Sequence, residues 1–306
     1  MTPVSGPAPE TVSGEPLKSP TMANVKVAVH EWFQRCHSHP DNVAIFYFCG
    51  HGIERDSQYL LMEDFGAFQP ALLDNTLDLI AFHRGLAQCA AGTQLIFVDA
   101  CREVPRKLKQ LVTGTGQGLL DARLDGNLSR DAPILWAAAQ GQQAFARKGE
   151  STQFTQALLE ALRGAGAAPE ATDGDRWSVR YYKLASTVGQ LLKNAPYTGD
   201  RQEVRTGGEA GDALVHELDG PPSVPVHVAF DPEICAEITR LLLKSLSGGQ
   251  TYNWGPAAGP CQLVALPDMY TLQAHVQAPY RADGPQKAWI LPPLQRFTVK
   301  VEQSSA

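Results

Sequence analysis

Along the first two thirds of the chain, short unbroken apolar runs alternate with stretches of helical spacing. Val43-Ala44-Ile45-Phe46-Tyr47-Phe48-Cys49 is one such run and ends in Gly50-His51-Gly52. It reads as a strand buried on both faces. Gln94 to Val98 is a second, closing on Asp99-Ala100-Cys101. Between them Leu77, Ile80, Ala81 and Leu86 share one face of a predicted helix that runs to Cys89. Strand, helix and strand at this spacing predict a right-handed crossover and a parallel sheet. Val25, Val27, Ala28, Trp32 and Phe33 predict a helix before the first strand. The pattern goes on with a strand at Pro133 to Ala139, helices at Thr152 to Leu162 and Lys183 to Leu192, and a last strand at Ala213 to Leu218. The fold class expected is α/β, an open, mostly parallel sheet flanked by helices.

After Gly220-Pro221-Pro222 the period changes. Val224 to Phe230, Gln262 to Leu266, Thr271 to Gln277 and Arg296 to Glu302 alternate like half-buried strands, with a helix expected at Glu233 to Leu246. Residues 1–22, rich in Pro, Ser, Thr and Gly, read as a flexible lead. This divides the chain into that lead, a main domain over 23–219 and a β-rich accessory domain over 220–306. Placement of a partner or substrate is the role expected of the accessory domain, by analogy of architecture.

Composition narrows the class. With 306 residues, 43% hydrophobic and 19% charged, the chain is long enough for a large core and a smaller second one. A net charge of -6 gives no electrostatic reason to expect nucleic acid or an anionic membrane, and mildly favours basic substrates. The six cysteines form no C-x-x-C pair and the start carries no basic-then-apolar leader, so a cytoplasmic protein with reduced thiols is expected. The longest apolar runs fall far short of the roughly 20 residues that cross a bilayer. Cys36-His37-Ser38-His39 lies in one loop with no second ligand cluster, and no metal site is assigned to it. Cys49, inside its strand, is expected to be a buried, inert thiol. Gly114 to Gly118 lacks the Lys-Ser/Thr of a phosphate loop.

His51 and Cys101 each follow the C-terminal end of a predicted parallel strand, the rim where reacting groups collect in open α/β sheets. A free thiol is only a few per cent ionised at neutral pH, and a neighbouring imidazole supplies the base that makes the thiolate. Glycines beside His51 leave room for an amide to approach a developing oxyanion.

The fifty-residue spacing of His51 and Cys101 fits the caspase pattern of a His upstream of a Q-A-C-R-G type segment. Phe48-Cys49-Gly50-His51-Gly52 resembles the S-G-H-G box of caspases and metacaspases, and Val98-Asp99-Ala100-Cys101-Arg102 resembles the D-x-C box of metacaspases and bacterial caspase-like peptidases. Tyr59 to Gly66, Ala137 to Gln142 and Gln153 to Leu162 are also similar to that clan, so the resemblance covers about Asn24 to Leu218. It implies a cysteine endopeptidase acting on proteins, with Cys101 as nucleophile, His51 as its base and the amides of Gly52 and Cys101 holding the oxyanion. Asp99 stands where metacaspases carry an acid in the S1 pocket, which implies cleavage after Arg, or less often Lys. No organic cofactor is implied, and calcium is left open as an activator. Regulated proteolysis, as in cell death or defence, is the role the clan implies.

Self-cleavage in the polar stretch after the nucleophile would fall at Arg106, Lys107, Lys109, Arg123 or Arg130. Two departures stand out. Glu103 replaces the Gly that follows Cys-Arg in caspases, and residues 1–22 hold no convincing counterpart of the strand with which the family opens. The alternative that follows is an impaired relative that binds a partner through the cleft or the accessory domain.

Overall fold

The computed structural model describes residues 11–12, 15–16, 18–103, 114–122, 130–139, 151–171, 173–194, 202–209 and 211–303. The chain divides into two compact units, one of residues 1–158 and 188–215, the other of 159–187 and 216–306.

The first unit is built on four strands. Helix α1 (Met22–Cys36) is capped by Thr21, whose hydroxyl accepts from the Asn24 amide at 3.4 Å, and it leads to strand β1 (Val43–Gly50). A small antiparallel sheet of β2 (Gly52–Glu54), β3 (Gln58–Leu61) and β4 (Thr76–Asp78) follows. Asp78 then caps α2 (Leu79–Gly85) by accepting from the Ala81 amide at 3.0 Å. The chain crosses back to β5 (Thr93–Ala100), which lies parallel to β1 in the register Val43↔Thr93 through Gly50↔Ala100. β6 (Ala132–Trp136) is parallel to β5 on its other side. After α3 (Gln153–Glu160), β7 (Ala167–Glu170), β8 (Asp173–Arg180) and α4 (Tyr181–Asn194), strand β9 (Arg205–Glu209) joins β6 antiparallel, giving the order β9-β6-β5-β1.

Alternation across the pleat sorts the central side chains. Ile96, Val98 and Ala100 of β5 pack with Val29 of α1, Leu79 and Phe82 of α2 and Leu86 just after it, all buried. Burial of each such Leu or Ile is worth roughly 1.5 to 3 kcal/mol. Asp99 faces the other way, against the start of α3.

Strand β1 is an edge: it pairs with β5, and no strand among the described residues lies along its other side. Val43, Ile45 and Tyr47 are between 42% and 50% exposed there. Beside it a groove of about 400 Å³ is lined by Val25, Ala28 and Trp32 of α1 and by Phe46 and Phe48. Edge strands normally carry Lys, Pro or a bulge against association, and this one carries none. Lysine at Ile45 or Tyr47 is expected to lower concentration-dependent association by light scattering and leave the melting temperature within a few degrees. Unchanged association would mean the edge takes no part in it.

The last expected strand belongs elsewhere. β10 (Leu214–Leu218) lies in a three-stranded sheet of order β10-β8-β7, and the fourth strand of the main sheet is the antiparallel β9. The expected helix at 233–246 is also replaced, by a 3-10 turn (Glu233–Ile238) and strand β12 (Thr239–Ser245). Thr239, Leu241, Leu243 and Ser245 are buried and the residues between them are not, so the Leu241-Leu242-Leu243 run hides a period of two.

β11 (Val224–Asp231), β12, β13 (Thr251–Trp254), β14 (Cys261–Ala265), β15 (Asp268–Val276), β16 (Tyr280–Ala282), β17 (Gln286–Ile290) and β18 (Gln295–Gln303) form two four-stranded sheets, β14-β11-β18-β16 and β13-β12-β15-β17. Their inner faces share one core that includes Val226, Val228, Leu241, Tyr270, Ile290 and Val299.

Candidate active site

His51 and Cys101 are the residues immediately after the last registered pair of the β1–β5 ladder, Gly50↔Ala100. Adjacent strands lie about 4.8 Å apart, so the two side chains leave neighbouring strand ends at the C-terminal rim. His51 is exposed and Cys101 partly so. The His51 carbonyl accepts from the Leu61 amide at 2.9 Å, which turns the chain into the β2–β3 hairpin. Gly52 packs so closely on the Cys101 loop that a Cβ there would come within 2.7 Å of the Cys101 carbonyl oxygen and 3.1 Å of Ala100 Cβ. A side chain at that position would push the two loops apart.

A closed ring of side chains ties the segment after His51 to the segment after Cys101. Arg102 donates through Nε and Nη2 to the two oxygens of Glu54, both at 2.8 Å, in the bidentate geometry that suits a guanidinium and a carboxylate. Its guanidinium lies over the Trp136 ring at 4.8 Å. Trp136 donates through Nε1 to Gln58 Oε1 at 2.6 Å, and Gln58 Nε2 donates to the Cys101 carbonyl at 3.4 Å. Glu54 and Gln58 are register partners in the hairpin, which completes the ring. Both charged side chains are only 13–14% exposed. Sequence patterns gave no sign of this ring, because its members are drawn from four separate segments.

Asp99 is buried on the α3 side of the sheet. Its Oδ2 accepts from the hydroxyls of Thr152 and Thr155, the latter at 2.8 Å, and the Thr155 hydroxyl is also 2.6 Å from Tyr47 Oη. Its Oδ1 is buried and has no hydrogen-bond partner among the described residues. Burial pushes the carboxyl above its ordinary range, and the Thr152, Thr155 and Tyr47 hydroxyls pull it back in part. Cys49, expected to be buried, is exposed because it lies on the open edge strand; desolvation of the thiol, then the charge of Asp99, raises its pKa.

The other candidates separate. Arg130 is 4% exposed, with Nε on Glu209 at 2.8 Å, Nη1 on Gln94 at 2.7 Å and Nη2 on the His83 carbonyl at 2.9 Å. A guanidinium held at three points inside the fold is a strut between α2, β5 and β9, which removes Arg130 from the cleavage positions of the folded chain. Arg106, Lys107, Lys109 and Arg123 lie outside the described residues. Between them, residues 114–122 are anchored: Gln117 accepts from the Asp78 amide at 3.0 Å and donates to the Thr76 carbonyl at 2.9 Å. His37 accepts from the Ala90 amide at 2.9 Å and His39 from the Asp41 amide at 3.2 Å, so both imidazoles of the Cys-His-Ser-His segment, whose Cys36 ends α1 instead of lying in the loop, serve local structure. Among the described residues no group of three or more His, Cys, Asp or Glu side chains is placed to hold a metal ion, and no helix is long and apolar enough to cross a membrane.

The family model of the caspase domain, peptidase C14, matches residues 12–193, well over half of the chain. The chain belongs to the caspase family of peptidases. Among its relatives is the uncharacterized protein y4kE of Sinorhizobium fredii, 29% identical over 238 residues, which cover 73% of this chain and 66% of that protein. A probable protease from a Desulfuromonadales bacterium is 24% identical over 285 residues, 87% of this chain and 34% of that protein. The chain thus spans less than two thirds of either curated relative. Among solved structures, caspase-1 from Spodoptera frugiperda aligns over 63% of this chain and 69% of its own, with 14% identity and a TM-score of 0.40. Membership of the family agrees with the mixed α/β sheet of the first unit, to which the sandwich adds further β-sheets.

Proposed function

We propose that the chain is a cysteine endopeptidase that cuts proteins after Arg, or less often Lys, with Cys101 as nucleophile and His51 as general base. The observation that supports this reading most is the register of the β1–β5 ladder, whose last pair, Gly50↔Ala100, directly precedes His51 and Cys101 in a caspase-family domain. His51 takes the thiol proton, and the thiolate attacks the peptide carbonyl carbon to form a C–S bond. The oxyanion is held by the amides of Gly52 and Cys101. Collapse breaks the C–N bond and the leaving amine takes the proton from His51. Water, deprotonated by His51, then hydrolyses the thioester. No organic cofactor enters, and calcium as an activator is tested by assays with and without it. A cytoplasmic role in regulated proteolysis, such as cell death or defence, follows the family.

In this reading Asp99 sets the preference for a basic residue. Its unpartnered oxygen is the acceptor a guanidinium would fill. Asp99→Asn is expected to cut kcat/KM for a P1-Arg peptide about a hundredfold, the scale expected when a buried pocket loses its half of an ion pair. P1-Arg, P1-Lys and P1-Asp peptides compared side by side check it; preference for Asp in the parent chain would refute it. The raised carboxyl also has a sign in stability. Its protonated form is favoured by folding, so its contribution is full at low pH and is lost as pH rises towards the folded-state value. Asp99→Asn is therefore expected to melt no lower than the parent at pH 8, by scanning calorimetry.

Self-cleavage at Arg106, Lys107, Lys109 or Arg123 is expected to give two fragments on incubation, by intact mass, while a Cys101→Ala chain stays whole. The competing reading is an inactive relative that binds a partner, and the outer edge of β1, along which no strand of the described residues pairs, is the observation in its favour.

A further inference from the structure

The outer face of one sandwich sheet carries a charge pattern that neither the fold nor the proposed chemistry uses. On β12, Arg240 and Lys244 point outward between buried neighbours, and both are exposed. Register sets Arg240 opposite His275 of β15 and Lys244 opposite Thr271, which itself faces the exposed Lys287 of β17. The outward positions of all four strands contain no Asp or Glu. One step along, Trp289 is 56% exposed beside its register partner Met269. The opposite face of the sandwich differs, since there Asp231 lies opposite Lys300 and Arg281 pairs with Glu302 at 3.6 Å.

Strand spacing of about 4.8 Å and a rise of about 3.4 Å per residue put Lys244 and Lys287 about 10 Å apart, and Arg240 about 14 Å from Lys244. Both distances exceed the Debye length at physiological salt, about 8 Å, so there the cations act largely one by one, and they add to one positive field as the salt falls and that length grows from about 10 Å at 0.1 M to about 30 Å at 0.01 M. No carboxylate on the face offsets it.

We propose that this face docks an acidic segment of a partner protein, with carboxylates on Lys244, Lys287 and Arg240 and an apolar side chain on Trp289 and Met269. The match is one of charge, since a chain of net charge -6 repels a long polyanion at distance and admits a short acidic segment at a local basic patch. A single exposed aromatic also falls short of the stacking row that single-stranded nucleic acid uses. Exposed ion pairs are individually weak, so the affinity is modest and salt-sensitive.

The test uses the full chain carrying Cys101→Ala and a fluorescein-labelled peptide of six glutamates and one tryptophan, followed by anisotropy. The account expects binding at 50 mM salt, loss of it at 500 mM salt, and none by the peptide with glutamine for glutamate. Lys244→Glu with Lys287→Glu is expected to weaken binding at least tenfold, and Trp289→Ala about threefold. The milder Lys244→Gln with Lys287→Gln serves if the first pair lowers the melting temperature. Equal binding of the two peptides, variants that bind like the parent, or tighter binding of an oligothymidylate of equal charge would each overturn the proposal.

Discussion

Replacing Cys101 with alanine is expected to abolish peptide hydrolysis, and replacing His51 with alanine to slow it by at least about a hundredfold, the usual worth of a positioned general base. The reason lies in the six thiols. Cys36, Cys89, Cys235 and Cys261 are buried away from substrate, and burial pushes Cys36 and Cys89 up and Cys261 to about 11, so these three make no ready thiolate. Cys49 is exposed but sits beside the buried acid Asp99, which raises it further. Cys101 is partly exposed, and it follows a strand end paired with the one that His51 follows. Steady-state kinetics on both variants, with melting curves to show that each is folded, measure the effect. A Cys101→Ala chain that still cleaves would move the chemistry elsewhere.

Glu54→Ala is expected to cost about 3 kcal/mol of stability, because it leaves the Arg102 guanidinium poorly hydrated and unpaired. Denaturant unfolding checks the figure. Glu54→Leu combined with Arg102→Leu should cost clearly less than either single change, since no orphaned charge remains. The same variants are expected to slow peptide hydrolysis, because the ring that Arg102 closes holds the Cys101 carbonyl through Gln58 and braces the segment that follows His51. If Glu54→Ala unfolds like the parent, the ring is not what sets the two loops.

The strands that carry the site were legible because they are short apolar runs closed by glycine or by polar residues. β1, β5 and β6 lie where Val43 to Cys49, Gln94 to Val98 and Pro133 to Ala139 predict them. Strand β9 was not legible. Arg205-Thr206-Gly207-Gly208-Glu209 is polar and largely exposed, and it pairs with β6 through backbone bonds that leave no apolar signature. Strand β12 was misread because adjacent leucines suit a helix and a strand equally, and the alternation of burial that decides between them is a tertiary property. At the site, the placement of His51 and Cys101 just after two neighbouring strand ends followed from the apolar runs alone. The Arg102–Glu54 pair did not, because it joins residues 48 apart in sequence whose meeting depends on the turn of the β2–β3 hairpin. Arg130 shows the opposite failure: a basic residue in a polar stretch reads as exposed, and its burial comes from Glu209 and Gln94, far away along the chain.

The central claim is that His51 activates Cys101 for attack at an arginyl site. Intact-mass labelling with a peptide electrophile that carries arginine at P1 tests it most directly, applied to the parent chain, His51→Ala and Cys101→Ala. The account predicts one adduct on Cys101 in the parent, none on Cys101→Ala, and labelling slowed at least about a hundredfold in His51→Ala. Labelling of Cys101 at an undiminished rate without His51, or an adduct on another cysteine, would contradict it.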